Sequence, residues 1–403
     1  MEFSHFLREM LDISTNFEII QVEKIKTSEK IIRIYLKYVE TTCKVLGEYY
    51  DIYDYAPERE WQHLNWFEYK CYIVCRLPRY KTHEGKVKTY KPAFSDPGKS
   101  YTNLFRQAAL DLLRQIKVQS QVAKILKTSS YIIRSIMEEA VEYGLSKRGE
   151  IKNLKNISID EKAYARGHEY ATILMDSDKE YILEMQEGRD EKSLKTLFYM
   201  VTGEEEQPHL NIVNIDMWRP YMNVIEQIAP QATIVHDKFH IIKKLTESIN
   251  ATRKKEVKEN DLLIRQKYNV LKNTESRNSI QQKQFDAISS ANLKTAEAWH
   301  IRENFKLLWN YISIDIKNAV KQIQVWIEQS RNKGIHYVNK TLKTIENHIE
   351  GVAAAIATKT SSALHENING KIQSVIAKAR GFRNFERFRI NALFYYGNLN
   401  FYH

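Results

Sequence analysis

The chain has 403 residues, of which 43% are hydrophobic and 28% charged, enough for two or three domains with cores of their own. Lys and Arg number 61 against 50 Asp and Glu, so the formal net charge is +11 and a polyanion such as nucleic acid is the natural partner. Three cysteines (Cys43, Cys71, Cys75) are too few for a disulfide framework, no secretory segment precedes them, and no apolar run approaches the roughly 20 residues of a membrane span. These features argue for a reducing, cytosolic compartment and against a membrane role.

Residues 1–100 alternate polar with β-branched or aromatic residues, most plainly over 18–25 and 31–36, which predicts a small β-rich module. Pro92 and Asp96-Pro97-Gly98 mark its end. Over 101–150 the apolar period becomes helical. Leu104, Ala108, Leu112 and Ile116 form one stripe, Val122, Ile125 and Leu126 a second, and Ile132, Ile136 and Val141 a third. Three short helices fit, the last two joined by the polar turn Lys127-Thr128-Ser129-Ser130, which is the layout of a helix-turn-helix. Its recognition helix would present Ser130, Tyr131 and Arg134 to DNA, whereas Glu138, Glu139 and Glu142 farther along do not favour phosphate.

Residues 151–242 read strand, strand, strand, helix, strand, helix, strand, with the first strand closing at Asp160 and the fourth at Asp216. That order is the one expected of a ribonuclease-H-like mixed sheet. Residues 243–345 are helical, with Phe305, Leu308, Ile312, Ile316, Val320, Ile323 and Ile327 at spacings of three or four, and Trp299, Trp309 and Trp326 read as packing residues. Residues 346–403 carry a further helical pattern with Glu366, then an aromatic and basic segment. The predicted fold class is therefore α+β and multidomain: a β-rich module, a helix-turn-helix, and a mixed α/β core interrupted by an all-α insertion.

Cutting a phosphodiester with two metal ions requires carboxylates from separate segments to converge, so that both the attacking and the leaving oxygen are neutralised. Asp160 and Asp216 suit that role if their strands are neighbours, and Glu366 can complete it from a helix. Magnesium or manganese, two ions, matches such oxygen donors. Asp237 is a rival for the second acid, with His240 one turn beyond it. Glu161 belongs to the opposite strand face, and Glu187 and Asp190 read as solvated turn residues. Two basic tracts carry interleaved aromatics: residues 76–91, with Arg76, Arg79 and Lys81, and residues 371–389, with Lys371, Arg380 and Arg383. The aromatics can stack on bases or anchor the basic surface.

Five blocks, Ile159-Asp160-Glu161-Lys162, Asn214-Ile215-Asp216-Met217-Trp218, Asp237-Lys238-Phe239-His240, Glu366-Asn367-Ile368-Asn369-Gly370-Lys371 and residues 379–385, resemble in order those of insertion-sequence transposases of the IS-L-three family. Arg76-Leu77-Pro78-Arg79 and Trp61-Gln62-His63-Leu64 resemble its N-terminal module. The resemblance implies a catalytic triad of Asp160, Asp216 and Glu366 and a magnesium cofactor. It also implies double-stranded DNA, as element ends and target, for substrate, a homodimer on that DNA, and a place on the nucleoid in the bacterial cytosol. One departure stands out. Similar proteins carry a cysteine-rich zinc module, whereas here Cys43 lacks a CxxC partner, Thr82 stands where a cysteine is expected, and His83 is displaced, so zinc is not expected. Two alternatives stay open: a catalytically inactive helix-turn-helix DNA-binding protein derived from such a transposase, and a structure-selective DNA nuclease of the same fold.

Overall fold

The computed structural model describes residues 2–402 apart from 27, 28, 150, 152, 166, 168, 204–208, 312–314, 359–361 and 380, and the side chains of 2–4, 311, 362–367 and 369 fall outside that description. The chain forms two compact units, one of residues 1–147 with 399–403, the other of residues 148–398.

The first unit opens with a helix that the alternation of residues 1–100 does not reveal, α1 (Glu2–Met10). Its C-terminal side buries Leu7, with Leu11 and Ile13 just beyond, against the sheet core. The strands β1 (Phe17–Lys26), β2 (Lys30–Tyr38), β3 (Thr42–Val45), β4 (Glu48–Tyr55), β5 (Arg59–Trp66), β6 (Tyr69–Cys75), β7 (Pro78–Lys81) and β8 (Val87–Thr89) follow. They form two sheets, ordered β1-β2-β6-β5 and β3-β4-β7-β8. Cys71 and Cys75 lie in the core of the first sheet with Phe17, Ile34, Trp61 and Ile73, and burial pushes both thiols up to about 12.

Three helices complete this unit: α2 (Asn103–Ile116), α3 (Gln119–Ile125) and α4 (Ser130–Lys147). Thr102 caps α2, accepting the Phe105 N–H at 3.3 Å, and the Ser129 hydroxyl accepts the Ile132 N–H at 3.2 Å at the start of α4. The stripe predicted for α2 is one residue out of phase. Phe105, Ala109, Leu110 and Leu113 are buried, while Leu104, Ala108, Leu112 and Ile116 flank them half-buried. Ile125 is likewise exposed, and α4 centres its buried face on Ile133, Ile136, Met137 and Val141. In each case two neighbouring i, i+4 rows are apolar, and only packing decides which one faces inward.

The second unit is built on a five-stranded sheet of β9 (Asn156–Ala165), β10 (Glu169–Asp176), β11 (Tyr181–Glu187), β12 (Ile212–Ile215) and β13 (Thr233–His236), in the order β11-β10-β9-β12-β13. The first three strands are antiparallel; β12 runs parallel to both β9 and β13. Strand β9 continues past the expected stop at Asp160, because residues to Ala165 keep pairing with β10. Asp160 therefore sits mid-strand, just beyond the point where pairing to β12 ends.

Alternation along the strands sorts the two faces. Ile157, Ile159, Leu174, Val213 and Ile215 pack with α5 (Glu191–Thr202) and α6 (Arg219–Ile228) through Leu194, Leu197, Tyr221 and Ile225. Ser158, Asp160, Lys162 and Tyr164 belong to the other face.

A helical assembly follows β13: α7 (Lys238–Glu256), α8 (Lys267–Leu271), α9 (Ser279–Ser290), α10 (Lys294–Tyr311), α11 (Ile316–Arg331) and α12 (His336–Asn347). The apolar series from Phe305 to Ile327 is thus split between two helices, with Asp315 capping the second by accepting the Lys317 N–H at 3.1 Å. Trp299 and Trp326 are buried in its core and Trp309 packs at the edge, as the sequence predicts. The chain then returns to the sheet as α13 (Ile349–Thr358), α14 (Ser362–Ala379) and α15 (Phe385–Tyr396). Ala354 and Ala355 of α13 cover Val235 of β13. At the opposite edge Phe388 of α15 stacks on Tyr164, ring centroids 5.7 Å apart. No described helix is long and apolar enough to cross a membrane.

Candidate active site

Asp160 and Asp216 are brought together by register. Asn214 of β12 pairs with Ser158 of β9 in parallel, so Asp216 and Asp160 each lie two residues beyond that last pair, and the charges of both reach His240. Parallel neighbours present side chains at matching positions to the same face, which here is the face flanked by α13 and α15. The connecting helix α14 contains Glu366; the side chain of Glu366 lies outside the described residues. Ile368, Ile372, Val375 and Ile376 form the buried stripe of α14.

Each aspartate has one oxygen held by the backbone and one turned to a cationic side chain. Asp160 Oδ1 accepts the Glu161 N–H at 2.8 Å, and Oδ2 meets Lys162 Nζ at 2.9 Å. Asp216 Oδ1 accepts the Met217 N–H at 2.6 Å, and Oδ2 lies 3.3 Å from His240 Nδ1. Burial raises the Asp216 carboxyl, but the His240 hydrogen bond and charge, the Met217 N–H and Lys244 outweigh it and hold the group below its ordinary value. Burial lowers His240, yet the hydrogen bond to Asp216 and the charges of Asp216, Asp160 and Asp237 more than reverse that. Hard carboxylate oxygens held on a frame that already attracts positive charge fit a divalent cation, and Asp160, Asp216 and Glu366 are the residues that would hold it. Among the described residues, no three His, Cys, Asp or Glu side chains converge on one point.

The other acids have different employments. Asp237 is the N-cap of α7, accepting the Phe239 N–H at 2.9 Å, and it sets His240 one turn inside the helix. Asp190, expected to be solvated, caps α5 by accepting the Ser193 N–H at 2.8 Å. Glu187, also expected to be solvated, accepts the Tyr164 hydroxyl. Glu161 lies opposite Thr172 on the α5 and α6 side; burial raises its carboxyl, Asp160 and Asp216 add to that, and Arg189 and His240 oppose it.

The basic residues singled out from sequence are spread over both units. In the first, Arg76 is exposed and its Nε donates to Ala56 O at 3.2 Å, Arg79 is tied to Asp54 by two hydrogen bonds, and Lys81 is exposed. On α4, Ser130 and Tyr131 are exposed, and the Arg134 guanidinium stacks 5.2 Å from the Tyr131 ring while Nε pairs with Glu138 at 3.4 Å. In the second unit Lys371 and Arg383 are exposed, and Arg380 lies outside the described residues. Tyr80 and Phe388 are buried, so these two rings of the basic tracts anchor surface to core.

Sequence reasoning missed Lys162, the direct pairing of His240 with Asp216, and a cluster of Arg189, Trp218 and Tyr170 at the same end of the sheet. The i, i+2 spacing of Asp160 and Lys162 on a strand and the one-turn spacing of Asp237 and His240 were the available signals.

A family model described as a transposase, of the DDE type and the ISL3 group, matches residues 157–392. The chain is 23% identical over 341 residues, 81% of its length and 82% of the relative's, to the transposase for insertion sequence element IS1001 of Bordetella parapertussis. It is 21% identical over 362 residues, 82% of its length and 79% of the relative's, to the transposase for insertion sequence element IS1557 of Mycobacterium tuberculosis.

Proposed function

Since this chain belongs to the ISL3 family of DDE transposases, we propose that it binds the terminal inverted repeats of an insertion sequence and cuts and joins DNA at a triad of Asp160, Asp216 and Glu366. The observation that carries the reading is the strand register that leaves Asp216 and Asp160 each two residues beyond the last pair of β12 with β9, with the helix bearing Glu366 joining the two elements that flank that face. The strand order β11-β10-β9-β12-β13, antiparallel and then parallel, supports a ribonuclease-H-like core over residues 151–242 and 346–403 with residues 243–345 as insertion. The short α3, the tight turn at 127–129 and the exposed start of α4 support a helix-turn-helix over 101–150, beside a β module at 1–100.

Asp160, Asp216 and Glu366 would hold two magnesium or manganese ions, whose charge would neutralise the attacking and leaving oxygens of the scissile phosphate. The protein's own share is placement. Backbone N–H groups fix one oxygen of each aspartate, His240 orients Asp216, and Lys162 pairs with the other oxygen of Asp160. Lys371 on the triad helix and Arg380 and Arg383 beyond it take phosphates near the reaction; Arg76, Lys81, Ser130, Tyr131 and Arg134 contact the element ends. Cutting two ends together calls for a homodimer on DNA, in the cytosol with the nucleoid.

Cleavage of a supercoiled plasmid carrying the native element ends tests this reading, with magnesium or EDTA. Metal-dependent nicking at the ends should vanish in Asp160→Ala, Asp216→Ala and Glu366→Ala and survive in Asp237→Ala. A folded wild type that binds the ends and never cuts them would overturn it.

A further inference from the structure

Tyr170 is the second residue of β10 and shares the α5 and α6 side with Thr172, Arg189 follows β11 and Trp218 follows β12, so the three meet at the end of the sheet toward which Asp160 and Asp216 lie. The Trp218 indole N–H donates to Arg189 O at 3.2 Å. The Arg189 guanidinium lies 4.2 Å from the centroid of the Tyr170 ring and 5.8 Å from that of Trp218. Met217 is packed into the helical core, but its neighbour Trp218 leaves 42% of its surface in solvent, two residues from Asp216.

A large indole exposed at such a place carries a cost in water, and the hydrogen bond from its N–H settles what it offers. With its polar edge satisfied against a backbone carbonyl, the ring presents an apolar π-surface in a fixed orientation. Arg189, spread between two rings, adds a fixed cation. A flat aromatic group with a negative charge close by complements this surface, and a nucleobase with its flanking phosphate is such a group. In a paired duplex the faces of the bases are covered by their neighbours, so only a base that has left the stack can use it.

We propose that Trp218, Arg189 and Tyr170 form a stacking platform that receives one unstacked DNA base next to the bond being cut, holding the strand end against Asp160 and Asp216. This rests on the transposase reading above and adds a subsite to it. The platform gives the enzyme a grip on the reacting strand that does not depend on sequence, because every base has a π-face.

Photocrosslinking of the full-length protein to element-end duplexes tests the platform, with 5-iodouracil stepped through the positions on either side of the cut. The crosslink should peak at one or two positions next to the scissile bond and map to the peptide holding Trp218 or Tyr170. Trp218→Ala should lower cleavage of fully paired ends about tenfold. Trp218→Phe should keep most of it, and a mismatch at the crosslinking position should restore much of the activity of Trp218→Ala. Folding of both variants is checked by retained binding to the ends. A wild type that cuts the ends, yields no crosslink to Trp218 or Tyr170 and tolerates Trp218→Ala overturns the platform and leaves the transposase reading standing. A wild type that binds the ends and never cuts them with magnesium overturns that reading, and the platform with it.

Discussion

Arg389 on α15 grips Glu184 on β11 with two parallel hydrogen bonds, Nε to Oε1 at 2.7 Å and Nη2 to Oε2 at 2.6 Å. Both side chains are largely buried, and Glu386 adds a third contact to the guanidinium at 2.9 Å. Burial lowers Arg389, but the two carboxylates outweigh it and raise the group above its ordinary value. Removing one partner strands the other, so Arg389→Ala should destabilise the second unit by about 3 kcal/mol, and Arg389→Lys should recover little because an ammonium cannot form the fork. A Glu184→Leu, Arg389→Met double variant should regain most of the loss. Thermal melts of the four proteins decide; a double variant no more stable than Arg389→Ala would refute the pairing argument.

Gly351 lets α13 approach β13 closely. A Cβ at this position would lie 2.5 Å from Cδ2 of His236, whose ring is buried and hydrogen-bonded to Ile215 O at 3.2 Å. Gly351→Ala should therefore cost about 1–3 kcal/mol of stability, as overpacking does, despite the higher helix propensity of alanine. Pairing it with His236→Ala, which opens the space, should return part of that cost in a urea titration.

His63 makes the first unit sensitive to acid. It is buried on β5, its Nδ1 2.8 Å from Thr102 Oγ1, and burial pushes it down from 6.5 to about 4. The unfolded chain binds a proton below pH ~6.5 that the folded chain refuses until pH ~4. Stability is therefore complete above that window and falls as pH drops through it, by up to about 3 kcal/mol. Pulse proteolysis in urea across pH 7.5 to 4.5, reading cleavage within residues 59–75, should show this decline, flattened in His63→Gln. An equally steep decline in the variant would assign it elsewhere.

His240 orients Asp216 and caps no helix itself. His240→Asn should lower metal-dependent cleavage by about 10- to 100-fold while binding to the element ends is unchanged. Asp237→Ala, which removes the cap of α7 and the weakest of the three carboxylate charges acting on His240, should cost about 1 kcal/mol in stability and leave cleavage nearly intact. End-binding assays beside cleavage rates separate the two; equal losses of cleavage in both variants would mean that the helix start, not the imidazole, is what matters.

Much of the sheet was legible because strands announce themselves locally. The succession of strands and helices read over residues 151–242 matches the elements from β9 to β13, apart from the end of β9. Helix phase was less legible: Leu104 and Phe105 are both apolar, and only the packed partner selects between them. Helix α1 escaped notice because its one short apolar face gives too little period to count. The two aspartates could be read because each ends or closely follows a β-branched run. The contacts of Asp216 with His240 and of Arg189 with Trp218 could not, since they join loops and helix starts whose paths depend on the whole sheet.

The sheet is finished at His236, yet one of its faces is covered by α13 and α15, which the ribosome delivers only after the entire helical assembly. Until then Ile173, Met175, Ile182 and Val235, all buried in the full chain, stay open to water. A copy interrupted within the insertion carries the first unit and both aspartates on a sheet with one sticky side. Exposed apolar surface of that kind favours aggregation and degradation, which would keep truncated copies from accumulating.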